Sequence, residues 1–298
     1  MLMYNGLSQK KERVKRMKKP VKILLFILCA VFAGVFLFSG WKLFTMWKGY
    51  HDSRQQYDSL TDRYTSAATP APTAEAFAAP DPAAAAATPT PQPVEVSPIY
   101  VDFNQLQSEN PDVVGWIYSE NTKINYPIVQ DHNNDNYYYL HRDIHGDYSG
   151  NGIPFMDVKC ARDFSSYNTI VYGHHMNDGS MFASISDYRT EGYYAEHPTL
   201  YLNTPGQDYR IDVFAGYVTD ADSNTYIISF PDTSSFQLYC QDMKAQSDFV
   251  SDVVIEPGDR IITLSTCSYE YYDARYVIQG KLVPLGVETG ETTVSAVG

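Results

Sequence analysis

The chain has four cysteines, Cys29, Cys160, Cys240 and Cys267, and the last sits where a thiol can do chemistry. Cys267 ends the strand-like run Ile261-Ile262-Thr263-Leu264-Ser265-Thr266, in a Ser/Thr-rich rather than an apolar setting. A thiol at the mouth of a sheet is open to solvent, and exposed thiols near cations are the reactive ones. A thiol nucleophile also needs a proton carrier, usually imidazole. Of the seven histidines, His174 and His175 follow a strand-like run and Gly173, where a strand gives way to a loop. His132, His141, His145 and His197 lie in polar stretches and read as solvated surface, and His51 follows the apolar N-terminal segment. Arg275 opens the next strand-like run, eight residues after Cys267. A guanidinium stays charged and offers a planar set of donors, which suits an oxyanion forming on a carbonyl under attack.

The other cysteines have simpler readings. Phe236, Tyr239, Cys240 and Met243 recur at helical spacing, after a cap at Asp232 or Thr233, so Cys240 falls on a buried face. Cys160 follows an apolar strand and reads as packing, and Cys29 lies inside an apolar helix. Four scattered cysteines make neither a disulfide framework nor a zinc site. Asp131, Asn133 and Asp135 start like a calcium loop, but Asn136 stands at position six and Arg142 at position twelve. Asp220, Asp222 and Asn224 form another polar cluster, and both read as solvated loops. No metal and no cofactor is expected.

The elements that must position Cys267, His174 and Arg275 are short β-like runs. They fall at Val113–Tyr118, 123–129, 153–158, 169–172, 199–202, 209–218, 260–264 and 275–283, with a hairpin turn at 119–122. Eight short strands in about 190 residues point to a barrel or a sandwich.

The N-terminal part differs in kind. Residues 23–41 are 19 uncharged, mostly apolar positions, about 28 Å as a helix, which spans a bilayer's hydrocarbon. The first 50 residues hold ten of the 22 Lys and Arg and one acid, Glu12, with the basic run ahead of the apolar stretch. Positive charge stays inside, so a basic cytoplasmic segment at 1–22, a transmembrane helix at 23–41 and an outward-facing remainder are expected. The stretch is too long for a signal-peptide core and lacks a small-x-small site after it, so the helix is retained. Residues 42–66 form a juxtamembrane segment in which helix extends outward. Residues 67–98, nearly all Ala, Pro and Thr, read as a semi-rigid stalk. The folded domain is expected at 99–285 and a flexible tail at 286–298. Beyond residue 50 there are 12 bases against 34 acids, a balance that disfavours nucleic acid.

Taken together, Tyr172-Gly173-His174, Thr263-Leu264-Ser265-Thr266-Cys267 and Arg275 resemble the class B sortases, in the same order along the chain. Asn110-Pro111-Asp112-Val113-Val114-Gly115-Trp116-Ile117, Tyr126-Pro127-Ile128-Val129 and Asp178-Gly179-Ser180-Met181-Phe182 are also similar, as is a helix at 234–248. The resemblance covers about 99–284. It implies a mainly β fold with peripheral helices, an eight-stranded sortase barrel with a helix before the cysteine strand. It also implies a membrane-anchored transpeptidase of the Gram-positive cell surface. Cys267 would attack the Thr–Gly or Thr–Asn bond of a C-terminal sorting motif on a secreted protein. A cell-wall or pilin amine would then resolve the thioacyl intermediate. His174 would be the acid and base, and Arg275 would stabilise the oxyanion. Tyr172, Ser265 and Thr266, with Tyr226 and Ile227, would contact substrate. Ser268 departs from members that carry an acid after the nucleophile, and the doubled histidine leaves His175 as a second candidate.

Two other readings stand beside this one. A cysteine protease or amidase shares the first half-reaction and lets water resolve the intermediate. A non-catalytic adhesion domain would use some of the 25 tyrosines as a binding face.

Overall fold

The computed structural model describes residues 19–68, 95–268 and 272–286. The basic segment up to residue 18, most of the expected stalk and the tail from 287 lie outside the described residues. The chain divides into two units at about residue 50. Helix α1 spans Lys19–Tyr64. Among the described residues it is the one helix long and apolar enough to cross a membrane, with a mean hydropathy of 2.8 in its apolar window. Its large side chains from Val21 to Trp47 are exposed, as a lipid-facing surface requires.

The second unit begins earlier than residue 99. Ser53, Tyr57, Leu60 and Tyr64 recur every three or four residues in a stretch that reads as polar, and all four are buried. The Tyr57 hydroxyl donates to the Gly152 carbonyl, and its ring meets Tyr126 edge-on at 5.3 Å. Strand β1 (Thr65–Ala67) then pairs with β2 (Ile99–Val101), and the Ala68 amide donates to Pro98 O at 3.0 Å. Ala67 and Ile99, at the two ends of the stretch read as a stalk, lie opposite each other in this pair, and residues 69–94 between them lie outside the described residues.

After the short helix α2 (Phe103–Glu109), eight strands close into a barrel. They are β3 (Val113–Tyr118), β4 (Asn125–Val129), β5 (Phe155–Met156), β6 (Asn168–Tyr172), β7 (Thr199–Asn203), β8 (Tyr209–Asp220), β9 (Ile261–Cys267) and β10 (Ala274–Pro284). The order round the barrel is β10-β8-β7-β3-β4-β5-β6-β9. β4–β5 and β6–β9 are parallel and the other pairs antiparallel. Each sequence-predicted strand is present, within a few residues at the ends, and the mainly β fold class holds.

The one-turn helix α3 (Tyr193–Glu196) lies between β6 and β7, and helix α4 (Thr233–Ala245) between β8 and β9. Asp232 is the α4 cap, its side chain accepting from the Ser235 amide at 2.7 Å. The stripe Phe236, Tyr239, Cys240 and Met243 packs on Phe214, Tyr217, Ile261 and Val277. A larger core, including Trp116, Ile128, Phe164, Ile170 and Leu202, fills the rest of the domain. β9 is thus covered on both faces and buried from Ile261 to Thr266, leaving its end, Cys267, partly exposed. Cys160 and Cys240 are buried, and burial pushes both thiols up to about 12, which agrees with packing roles.

Candidate active site

Three neighbouring strands bring the candidate residues together. In the antiparallel β9–β10 pair, Cys267 lies directly opposite Arg275, so their side chains share one face. In the parallel β6–β9 pair, Tyr172 lies opposite Ser265. The pairing runs on past the strand end: the Gly173 amide donates to Ser265 O at 3.0 Å, and the Thr266 hydroxyl to Gly173 O at 2.8 Å. That register directs the segment after β6, which carries His174, to the end of β9 that carries Cys267. Residues 93 apart in sequence become neighbours because β6 and β9 are adjacent and parallel.

Cys267, His174 and Arg275 line one cavity of about 210 Å³ with Tyr172, Tyr226, Ser265 and Thr266. Asn136, Tyr137, Leu140, Phe155, Gly173 and Ala221 complete its wall. The Tyr172 ring packs at a tilt against Phe155, with centres 5.4 Å apart, and against Tyr226, at 6.0 Å, and the Tyr226 and Ser265 hydroxyls are 2.9 Å apart. Burial pushes the Tyr226 phenol up to about 12, and burial with the Asp157 carboxylate raises that of Tyr172 further. Both therefore stay neutral hydroxyls at physiological pH. Ile227 is not on this wall; it is largely exposed, and its carbonyl accepts from Asn168 Nδ2 at 3.0 Å.

The His174 Nε2 lies 2.7 Å from the Leu140 carbonyl oxygen. A carbonyl can only accept, so Nε2 carries a proton and, in the neutral ring, Nδ1 carries the lone pair. Burial, with a smaller contribution from His141, lowers the His174 pKa, and the Leu140 carbonyl partly opposes the shift. His141 stacks on His174 with ring centres 5.4 Å apart, so this histidine is not a bystander in a polar loop. His175 turns elsewhere, with Nδ1 3.3 Å from the Ser186 hydroxyl. Of the doubled pair, His174 is the residue on the cavity wall.

Arg275 donates to Asp273 Oδ1 at 3.0 Å and to Ala274 O at 3.1 Å. The Asp273 side chain is 59% exposed, so this ion pair contributes at most about 1 kcal/mol and a guanidinium can leave it cheaply. No ligand set for a metal is found on the cavity wall among the described residues. A thiol, an imidazole and a guanidinium around one cavity can carry out acyl transfer through a thioester.

Sequence reasoning missed Asn136, Tyr137 and Leu140, which line the cavity, and His141, which stacks on His174, all on the loop after β4. Nothing local marks them, because their place depends on the fold of that loop. It also misread Asp131, which is 95% buried rather than solvated, whereas Asp222 and Asn224 are exposed as expected.

Comparison with known proteins agrees with this geometry. The sortase domain family matches residues 117–283. Sortase B of Listeria monocytogenes is 36% identical over 259 residues, which is 86% of this chain and 95% of that protein. Sortase B of Staphylococcus aureus is 33% identical over 183 residues, 61% of this chain and 74% of its own length. A Staphylococcus aureus sortase B–substrate complex superposes with a TM-score of 0.58 over 61% of this chain and 84% of that one, at 33% identity. A sortase B-like structure from Bacillus anthracis gives 0.56 over 61% and 82%, at 37% identity. These similarities set aside a non-catalytic adhesion domain. The chain belongs to the sortase family, as a cysteine transpeptidase of the sortase B type.

Proposed function

We propose that this enzyme cuts a C-terminal sorting motif of secreted proteins at a Thr–Gly or Thr–Asn bond and passes the acyl group to a cell-wall or pilin amine. The observation that carries this reading is the shared cavity of Cys267, His174 and Arg275 at adjacent strand ends. The Cys267 thiol gives its proton to His174 as the sulfur adds to the Thr carbonyl carbon, and the C–N bond breaks as the leaving amine takes that proton from His174. The incoming amine then loses its proton to His174 and displaces the sulfur. His174 Nε2–H is committed to Leu140 O, so Nδ1 is the atom that exchanges this proton. Arg275 leaves its exposed partner Asp273 to hold the oxyanion in both steps. Tyr172, Tyr226, Ser265 and Thr266 contact the motif, as does Ile227, the exposed neighbour of Tyr226.

The apolar part of α1 anchors the enzyme, with the basic N-terminus in the cytoplasm and the barrel outside. The full-length protein in detergent micelles, mixed with peptides bearing LPxTG-, PPxTG- and NPxTN-type motifs, should gain the mass of one acyl fragment as a thioester. Cys267→Ala should gain none. An acyl adduct that survives this substitution would overturn the nucleophile. Free acid as the sole product in the presence of wall-peptide amines would point to a hydrolase instead.

A further inference from the structure

Away from the cavity, at the other end of the loop that supplies Leu140, two buried carboxylates meet. Asp112 and Asp131 are 3% and 5% exposed, and their ligand atoms lie within 4.8 Å of each other and of an imidazole nitrogen of His132. Asp112 Oδ1 is 2.8 Å from His132 Nδ1, and its Oδ2 accepts from the Tyr139 hydroxyl at 2.8 Å. Asp131 Oδ2 accepts from the Asp135 amide at 2.9 Å, but Asp131 Oδ1 is buried and has no hydrogen-bond partner. The neighbouring cation, Arg162, is spent on the backbone: it donates to Gln130 O at 2.9 Å and Pro111 O at 3.0 Å. Two buried carboxyl groups thus face one histidine, and one of their oxygens is unsatisfied. Leaving a buried polar atom without a partner is costly, and a cation bound here would satisfy it.

We propose that Asp112, Asp131 and His132 bind a divalent first-row transition cation. Two carboxylates and an imidazole suit such an ion, and bonds of ~2.2 Å place opposite ligands about 4.4 Å apart. An inward movement of a few tenths of an ångström completes the set, and His132, with a side chain 65% exposed, leaves the ion a path from solvent. The ion ties the start of β3 to the loop after β4. Tyr139, bonded to Asp112, sits next to Leu140, whose carbonyl holds His174. The local sequence hides this site because Asp112 comes from before β3 and completes what the residues after Asp131 do not.

Mn²⁺ is the probe of choice because it competes poorly for the Cys267 thiol. Full-length protein in detergent micelles is titrated with MnCl₂ while free Mn²⁺ is read by electron paramagnetic resonance. One saturable ion per chain is expected, weakened roughly tenfold or more in His132→Ala and abolished in Asp131→Asn. Cys267→Ala and Glu191→Gln should bind as wild type does. Absence of saturable binding, or binding that persists in both His132→Ala and Asp131→Asn, overturns the site. Because His132 is exposed, its variant folds and keeps the test decisive even where Asp131→Asn does not fold.

Discussion

Gly173 couples the packing of the barrel to the position of His174, and replacing it with alanine tests that coupling. A Cβ at residue 173 would lie 2.6 Å from both Cγ and Cδ2 of Phe182 and 3.1 Å from Cε2. Carbon atoms in contact normally sit ~3.5–4.0 Å apart, so ring or backbone must move by about 1 Å. The ring cannot swing into solvent, because Phe182 is fully buried. Nor can it retreat without pulling the chain, because the Phe182 amide donates to the His174 carbonyl at 3.0 Å. Gly173 is itself pinned to β9 through Ser265 and Thr266. Overpacking of this kind costs about 1–3 kcal/mol, and 2 kcal/mol in a domain of this size lowers Tm by about 4–8 °C. The same displacement, passed to His174, should slow acylation about a hundredfold, the usual cost of a 1 Å error in a reacting group. Thermal unfolding and the rate of thioester formation by intact mass measure the two effects separately. Phe182→Leu in the Gly173→Ala background should restore part of both. A Gly173→Ala enzyme with unchanged Tm and a rate within threefold of wild type would refute the reasoning.

Further outcomes follow from other parts of the structure. His174 has a lowered pKa in the folded state, so the unfolded chain binds its proton first as pH falls; stability is retained above about 6.5 and lost below it. His174→Gln should therefore flatten the loss of unfolding free energy between pH 7 and 5, by up to ~1.4 kcal/mol per pH unit; an unaltered slope would show that His174 does not contribute. Asn168 is fully buried; its Nδ2, with two protons, lies within 3.2 Å of Thr225 O, Ile227 O and the Tyr239 hydroxyl, and its Oδ1 accepts from the Thr263 hydroxyl. Asn168→Ala should cost about 3 kcal/mol or more in chemical denaturation and raise KM, because Tyr226 stands between two of those carbonyls; an effect under 1 kcal/mol would contradict this. In a Cys29→Ser background, a methanethiosulfonate reagent should modify one thiol of the folded protein, Cys267, and three after unfolding. Modification of a second thiol in the native state would show that Cys160 or Cys240 is not buried as described.

What the sequence determined by itself is local or one-dimensional. The apolar run at 23–41, the helical stripe from Phe236 to Met243 and the eight β-like runs are visible because burial follows the period of each element. The cysteine, histidine and arginine were found by type and by their place at strand ends, and their order along the chain matched a family. Tertiary structure decided the rest, since pairing between distant segments leaves little trace in either one. The parallel pairing of β6 and β9 brought His174 and Cys267 to one cavity. The loop after β4 brought Leu140 and His141 to that histidine, and the pairing of β1 with β2 joined two stretches distant in sequence. Asp131 looked solvated because its neighbours in sequence are polar; its partner Asp112 lies 19 positions away, and burial is a property of the fold that joins them.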